Sequence, residues 1–312
     1  MAFTAVFTQR KVVRSAVLSS HISLFFDLES VVGNLYSGVL VNFFNTLIKQ
    51  CIKFRKPFAI GKIGETECRN LVRMINSRSV VWSPDLEINA GVFPLTNDCV
   101  KMWANEYLAS LASLDLVLQW GEGDKFLIEK FAKGALVCHD FDDIQPFIYG
   151  SDGWHYALSG IKLCVVHPMK STIEMQAQVF SSIWRGAEPI DLVCVKSPYP
   201  PVIGGSSPFA SYHEALASLK EEVGRYDFDL CVVGAGAYSL PLCSYVRKLG
   251  KVCIHLGGAT QLLFGIRGGR WDAWVGPDGT WNGYYANSEF WRHPMKSDVP
   301  DNAYMVEGGC YW

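Results

Sequence analysis

The chain has 312 residues, 49% apolar and 19% charged. That is enough for one large domain or two small ones, and it excludes a disordered chain. A net charge of −2 argues against a nucleic-acid binder, which needs a basic footprint. The 10 cysteines include no CxxC pair, and Cys138, Cys164, Cys194, Cys231 and Cys253 sit in apolar strand-like runs. They read as small buried hydrophobes in a reducing, cytoplasmic setting rather than as disulfides or zinc ligands.

Taken in chain order, residues 12–54 read as helices with a broad apolar face. We expect residues 1–55 to form an N-terminal helical segment packed on a main domain of residues 56–312. The apolar stretch 17–52 is broken by His21, Asp27, Glu29 and Asn45. No run reaches the roughly 18–20 residues of a membrane span, so no transmembrane segment is expected. Peripheral contact with a membrane through this stretch stays open.

From residue 58 onward, short apolar runs alternate with helical patterns. The runs 58–61, 116–120, 135–138, 163–167, 192–195, 230–233 and 252–256 are near-continuous rather than alternating. They predict strands covered on both faces, hence a mostly parallel α/β sheet with flanking helices. Ser171-Thr172-Ile173-Glu174 and Ser211-Tyr212-His213-Glu214 both fit a capping box, with serine as N-cap. Ser239-Leu240-Pro241 opens another helix, and Gly250 is placed to end it as a left-handed cap. The Pro-, Gly- and Ser-rich segment 198–208 reads as a loop, either an ordinary surface loop or a mobile lid or linker. From Trp271 onward the chain is an irregular tail rich in aromatics, with Trp274, Trp281, Tyr284, Tyr285, Trp291, Tyr304, Tyr311 and Trp312.

Three segments carry candidate chemistry. The first is Lys62-Ile63-Gly64-Glu65-Thr66-Glu67, between a strand and a helical pattern. If its turn is extended, Glu65 and Glu67 project the same way and their converging charges suit Mn²⁺ or Mg²⁺. The competing reading is a pair of charges favourable to the helix dipole. Asp85-Leu86-Glu87 has the same form but lacks the preceding strand and glycine. The second segment is Gly234-Ala235-Gly236-Ala237-Tyr238, a small-residue turn where backbone N–H groups can approach a phosphate. The third is the turn His255 to Gln261, containing Gly257 and Gly258, followed by Arg267 and Arg270. Those arginines suit phosphate oxygens. In an open α/β sheet such turns meet in one crevice at the strand ends. His167 and His255 end strands and are the candidate general acid/base groups, with Glu122, Asp140 and Glu307 also open.

The hexapeptide 62–67 resembles the Arg-Phe-Gly-Asp-Gly-Glu motif of GT-D fold glycosyltransferases. So do the segment 229–271, Trp154, His167-Pro168, Ser171, Gln176 and the closing Glu307-Gly308-Gly309-Cys310-Tyr311-Trp312. The resemblance covers roughly residue 56 to the end. It implies a Rossmann-like, GT-D-like fold and transfer of a sugar from a nucleotide-diphosphate donor, UDP-linked, to a glycan or other hydroxyl acceptor. It implies that Glu65 and Glu67 hold Mn²⁺ or Mg²⁺, with Lys62 at the motif's basic position and Gly64 beside it. The departures are Glu for the first Asp, Lys for Arg, and Gln145 where a carboxylate is expected. Two other readings remain: a Rossmann-like methyltransferase using S-adenosylmethionine at residues 233–238, and a non-catalytic nucleotide-binding interaction protein. The sequence leaves sugar, linkage and oligomeric state open.

Overall fold

The computed structural model describes residues 43–139, 144–145, 152–272 and 289–312. The helices expected before residue 43, Asp140, and the aromatics Trp274, Trp281, Tyr284 and Tyr285 lie outside the described residues. Residues from Asn42 to Trp312 form one compact unit. Helix α1, Phe43–Phe54, belongs to it: Leu47, Ile48, Cys51 and Ile52 are buried. The buried Asn45 amide donates to the Asp152 carbonyl at 2.6 Å and accepts from the Trp154 N–H at 2.7 Å. Main-domain packing therefore begins before residue 56.

Seven strands form a single all-parallel sheet, as an α/β Rossmann-like fold requires. They are β1 Phe58–Lys62, β2 Leu116–Leu118, β3 Leu136–Cys138, β4 Lys162–His167, β5 Asp191–Lys196, β6 Leu230–Val233 and β7 Val252–His255. The order across the sheet is β3-β2-β1-β7-β6-β4-β5. Ile60 pairs with Leu116 on one side and Ile254 on the other. All four residues of β6 and of β7 are buried, because helices cover both faces and leave no solvated side to alternate with. Cys164, Cys231 and Cys253 stand in register across β4, β6 and β7, and the Cys243 sulfur lies 3.1 Å from that of Cys253. These thiols are fully buried and free, which is the role of small core residues.

The helices used below are α2 Glu65–Ser77, α3 Asn97–Leu111, α4 Glu122–Phe131, α5 Lys170–Ala177, α6 Tyr212–Gly224 and α7 Ser239–Lys248. Ser211 caps α6, its hydroxyl accepting from the Glu214 N–H. Gly250 ends the turn after α7 at φ +80°, where a β-carbon is unfavourable. Ser171 is not a cap, because α5 starts one residue earlier, after Met169. The Met169 N–H is taken by His167 Nδ1 at 3.1 Å, and the Thr172 N–H by the Asp298 carboxylate at 2.6 Å. No helix among the described residues is long and apolar enough to cross a membrane.

Candidate functional site

The connection from β4 leads outward to β5, whereas that from β6 leads back to β7. At such a switch point the two turns separate and leave a crevice beyond the carboxyl ends of the strands. A cavity of about 420 Å³ lies there, lined from the ends of β1, β4, β6 and β7. That volume falls within the range of small-molecule sites.

Two glycine turns make the floor. A β-carbon on Gly234 would overlap the Gly257 carbonyl and lie 2.6 Å from Thr260 Oγ1 and 2.7 Å from His167 Cδ2. The β6 and β7 turns are therefore packed backbone to backbone. The next turn residue, Gly236, lies against the Ala90 carbonyl, which accepts the Ala237 N–H at 2.9 Å. The hydroxyl of Tyr238 donates to the Gly91 carbonyl at 3.3 Å. This brings Ile88, Asn89, Ala90 and Gly91 to the cavity wall.

Lys62, Glu65 and Glu67 come from β1 and α2, and Arg270 and Glu307 from the C-terminal part of the chain. Lys62 ends β1 and lies along Gly257: a β-carbon there would be 3.0 Å from its Cε. Burial, then the Arg270 guanidinium, lower the Lys62 ammonium to about 8, against a smaller opposing pull from Glu67. Glu67 is 5% exposed. Its carboxylate folds back so closely over Gly64 that a β-carbon there would overlap it. Burial raises this carboxyl to about 7, opposed by its own backbone N–H and by Lys62. Glu65 behaves differently: its side chain is 76% exposed and reaches Arg69 at 3.6 Å.

The extended turn on which a chelating pair depends is therefore absent. Gly64 is the N-cap, and Glu65 and Glu67 occupy the first and third positions of α2. A helix turns about 100° per residue, so positions two apart diverge by about 200°. The pair does not fit a two-carboxylate metal site. Among the described residues no group of three or more His, Cys, Asp or Glu converges as metal ligands. The rival Asp85 is engaged by Arg69 and Ser83 and is not part of the cavity wall.

His167 and His255 both line the cavity and are 3% and 4% exposed. Burial holds each imidazole neutral, at about 3. Because His167 Nδ1 accepts the Met169 N–H, its proton sits on Nε2, so His167 offers the cavity a donor and not a base. His255 Nδ1 and Gln261 Oε1 are buried without a hydrogen-bond partner. The Gln261 amide nitrogen donates to the carbonyls of Arg267 and Tyr311, each at 3.1 Å. The orientation of the buried amide is thereby fixed.

The structure brings together Lys62, Gly64, Glu65, Glu67, His167, Gly234, Ala235, Gly236, Tyr238, His255, Gly257, Gly258, Gln261 and Arg270. Ala237 and Arg267 are not part of this wall. Ala237 is fully buried, and the Arg267 N–H pairs with the Arg292 carbonyl. Arg270 lies 4.6 Å above the Tyr311 ring and is paired with Glu307. Sequence reasoning missed Trp120 as a wall residue; Tyr199 lies in the Pro-rich segment and Trp312 in the aromatic tail, and both line the cavity. Trp120 follows β2 and donates to the Ile63 carbonyl at 3.0 Å, so its place beside β1 depends on strand order. Tyr199 and Trp312 meet at 6.4 Å between ring centres. Residues 198–200 of the Pro-rich loop form part of the wall. A scan against protein-family models, a search of curated proteins and a search of solved structures each found no match.

Proposed function

We propose that the chain is a glycosyltransferase that binds a nucleotide-diphosphate sugar, UDP-linked, in the strand-end cavity and passes the sugar to a hydroxyl acceptor. The observation that carries the anionic donor is the placing of two cations, Lys62 and Arg270, around two packed glycine turns. Phosphates suit this environment because backbone N–H groups and cations there replace lost hydration. The step to glycosyl transfer is supported by the resemblance of residues 62–67. The aromatic rings of Tyr199, Tyr311 and Trp312 offer faces on which a base or sugar can stack.

In this reading the backbone of the β6 and β7 turns holds the diphosphate. The His167 Nε2–H orients a donor hydroxyl. Lys62 and Arg270 stabilise the charge that grows on the leaving nucleotide diphosphate. The expected chelation of Mn²⁺ or Mg²⁺ by Glu65 and Glu67 is not part of the proposal, because the two side chains diverge. S-adenosylmethionine remains the alternative ligand: the wall carries the carboxyls of Glu65, Glu67 and Glu307 as well as the two cations, so its charge does not exclude a sulfonium.

The test is release of nucleotide diphosphate from a panel of UDP-sugars by the purified chain, with water or an added glycan as acceptor. Turnover of one donor, lost in Lys62→Met, supports the reading. Donor binding without any release would favour a non-catalytic nucleotide-binding protein.

A further inference from the structure

We propose that this cavity neutralises the diphosphate of its ligand with Lys62 and Arg270, in place of a divalent cation. The inference rests on the donor-binding reading above and specifies how that site recognises charge.

Three observations support it. The two glutamates leave α2 on opposite sides, one buried over Gly64 and one exposed beside Arg69. Only one carboxylate is therefore buried where the expected metal would sit. Second, room for the lysine is built into the fold. Gly257 has no β-carbon at the place where the Lys62 Cε and Nζ pass, 3.0 and 3.3 Å from where one would stand. Third, Arg270 is held on the far side by the Tyr311 ring and Glu307. Lys62 and Arg270 are close enough for each to feel the other's charge. A diphosphate bound between them relieves that mutual repulsion.

The deciding experiment is calorimetric titration of the full chain with UDP and, separately, with inorganic pyrophosphate. Each is run in a chelator and again in millimolar manganese. The expected result is equal affinity in both conditions, reduced on the order of 10–100-fold in Lys62→Gln whether or not manganese is present. Arg270→Gln, at a part-exposed position, provides the same comparison if the Lys62 substitution prevents folding, with roughly tenfold weakening expected. Binding that requires manganese overturns this inference and leaves the donor reading standing. Pyrophosphate binding through Lys62 without any UDP binding overturns the donor reading and keeps the lysine site. If both variants bind as the wild type does, the assignment of charge recognition to these residues is wrong.

Discussion

Replacing Gly234 with alanine tests the packing that defines the crevice. Gly234 is not among the glycines in the left-handed region, so an alanine there meets a packing penalty without backbone strain. Its β-carbon would overlap the Gly257 carbonyl and sit 2.7 Å from His167 Cδ2. Neither neighbour can retreat easily. The carbonyl belongs to a buried turn, and the His167 ring is pinned by the Met169 N–H. Overpacking of this kind costs about 1–3 kcal/mol. For a folded unit of this size, that lowers Tm by about 2–12 °C. Thermal unfolding followed by circular dichroism reads the effect directly. Gly134→Ala is the control, because nothing lies within 4 Å of the added carbon, and its melting should change by no more than about 1–2 °C. Wild-type melting of Gly234→Ala would refute the backbone-to-backbone contact of the two turns.

Further predictions concern charge and burial. Glu67 titrates near 7 when folded instead of its ordinary 4.5, so the folded state holds this proton more tightly. Wild-type stability therefore falls as pH rises from 4.5 through 7, and Glu67→Gln escapes this loss, gaining about 1–3 kcal/mol at pH 8 in urea unfolding. Parallel pH profiles for the two proteins would refute the buried placement. His213 is raised to about 10 by Cys99, whose carbonyl lies 3.1 Å from Nε2, and by the Glu106 carboxylate 3.8 Å from Nδ1. The resulting stabilisation is complete below pH 6.5 and disappears as pH rises through 10. His213→Ala should cost about 1–2 kcal/mol at pH 6, discounted for partial exposure, and nothing at pH 11; a pH-independent difference would count against the pairing. Asn45→Ala strands the buried Trp154 N–H and leaves the part-buried Asp152 carbonyl to solvent, with an expected loss of about 1–3 kcal/mol by denaturant titration. A loss below about 0.5 kcal/mol would mean that α1 does not contribute to the core as described.

The seven strands were legible because parallel strands buried on both faces appear as unbroken apolar runs. Gly250 and Ser211 were legible because a left-handed cap and an N-cap are local events. Ser171 misled because the start of α5 is capped from a distance: Asp298, 126 residues away, takes the Thr172 N–H. Sequence spacing cannot reveal such a partner. Glu65 and Glu67 were found at the cavity, yet their divergence turned on whether the helix began at residue 65 or later. A shift of one or two residues in a helix start is the least readable feature of a sequence. The wall provided by residues 88–91 is tertiary and left no signal in the sequence, whereas Glu307, Tyr311 and Trp312 were marked by composition and by the resemblance of the closing segment.

The most direct test of the account is a melting screen of the full chain against UDP-sugars and S-adenosylmethionine, with chelator present. A ligand at one hundred times its Kd stabilises the native state by about 2.7 kcal/mol, which raises Tm by about 5–10 °C. We predict that rise for at least one UDP-sugar and none for S-adenosylmethionine. A rise with S-adenosylmethionine and with no nucleotide sugar would contradict the account.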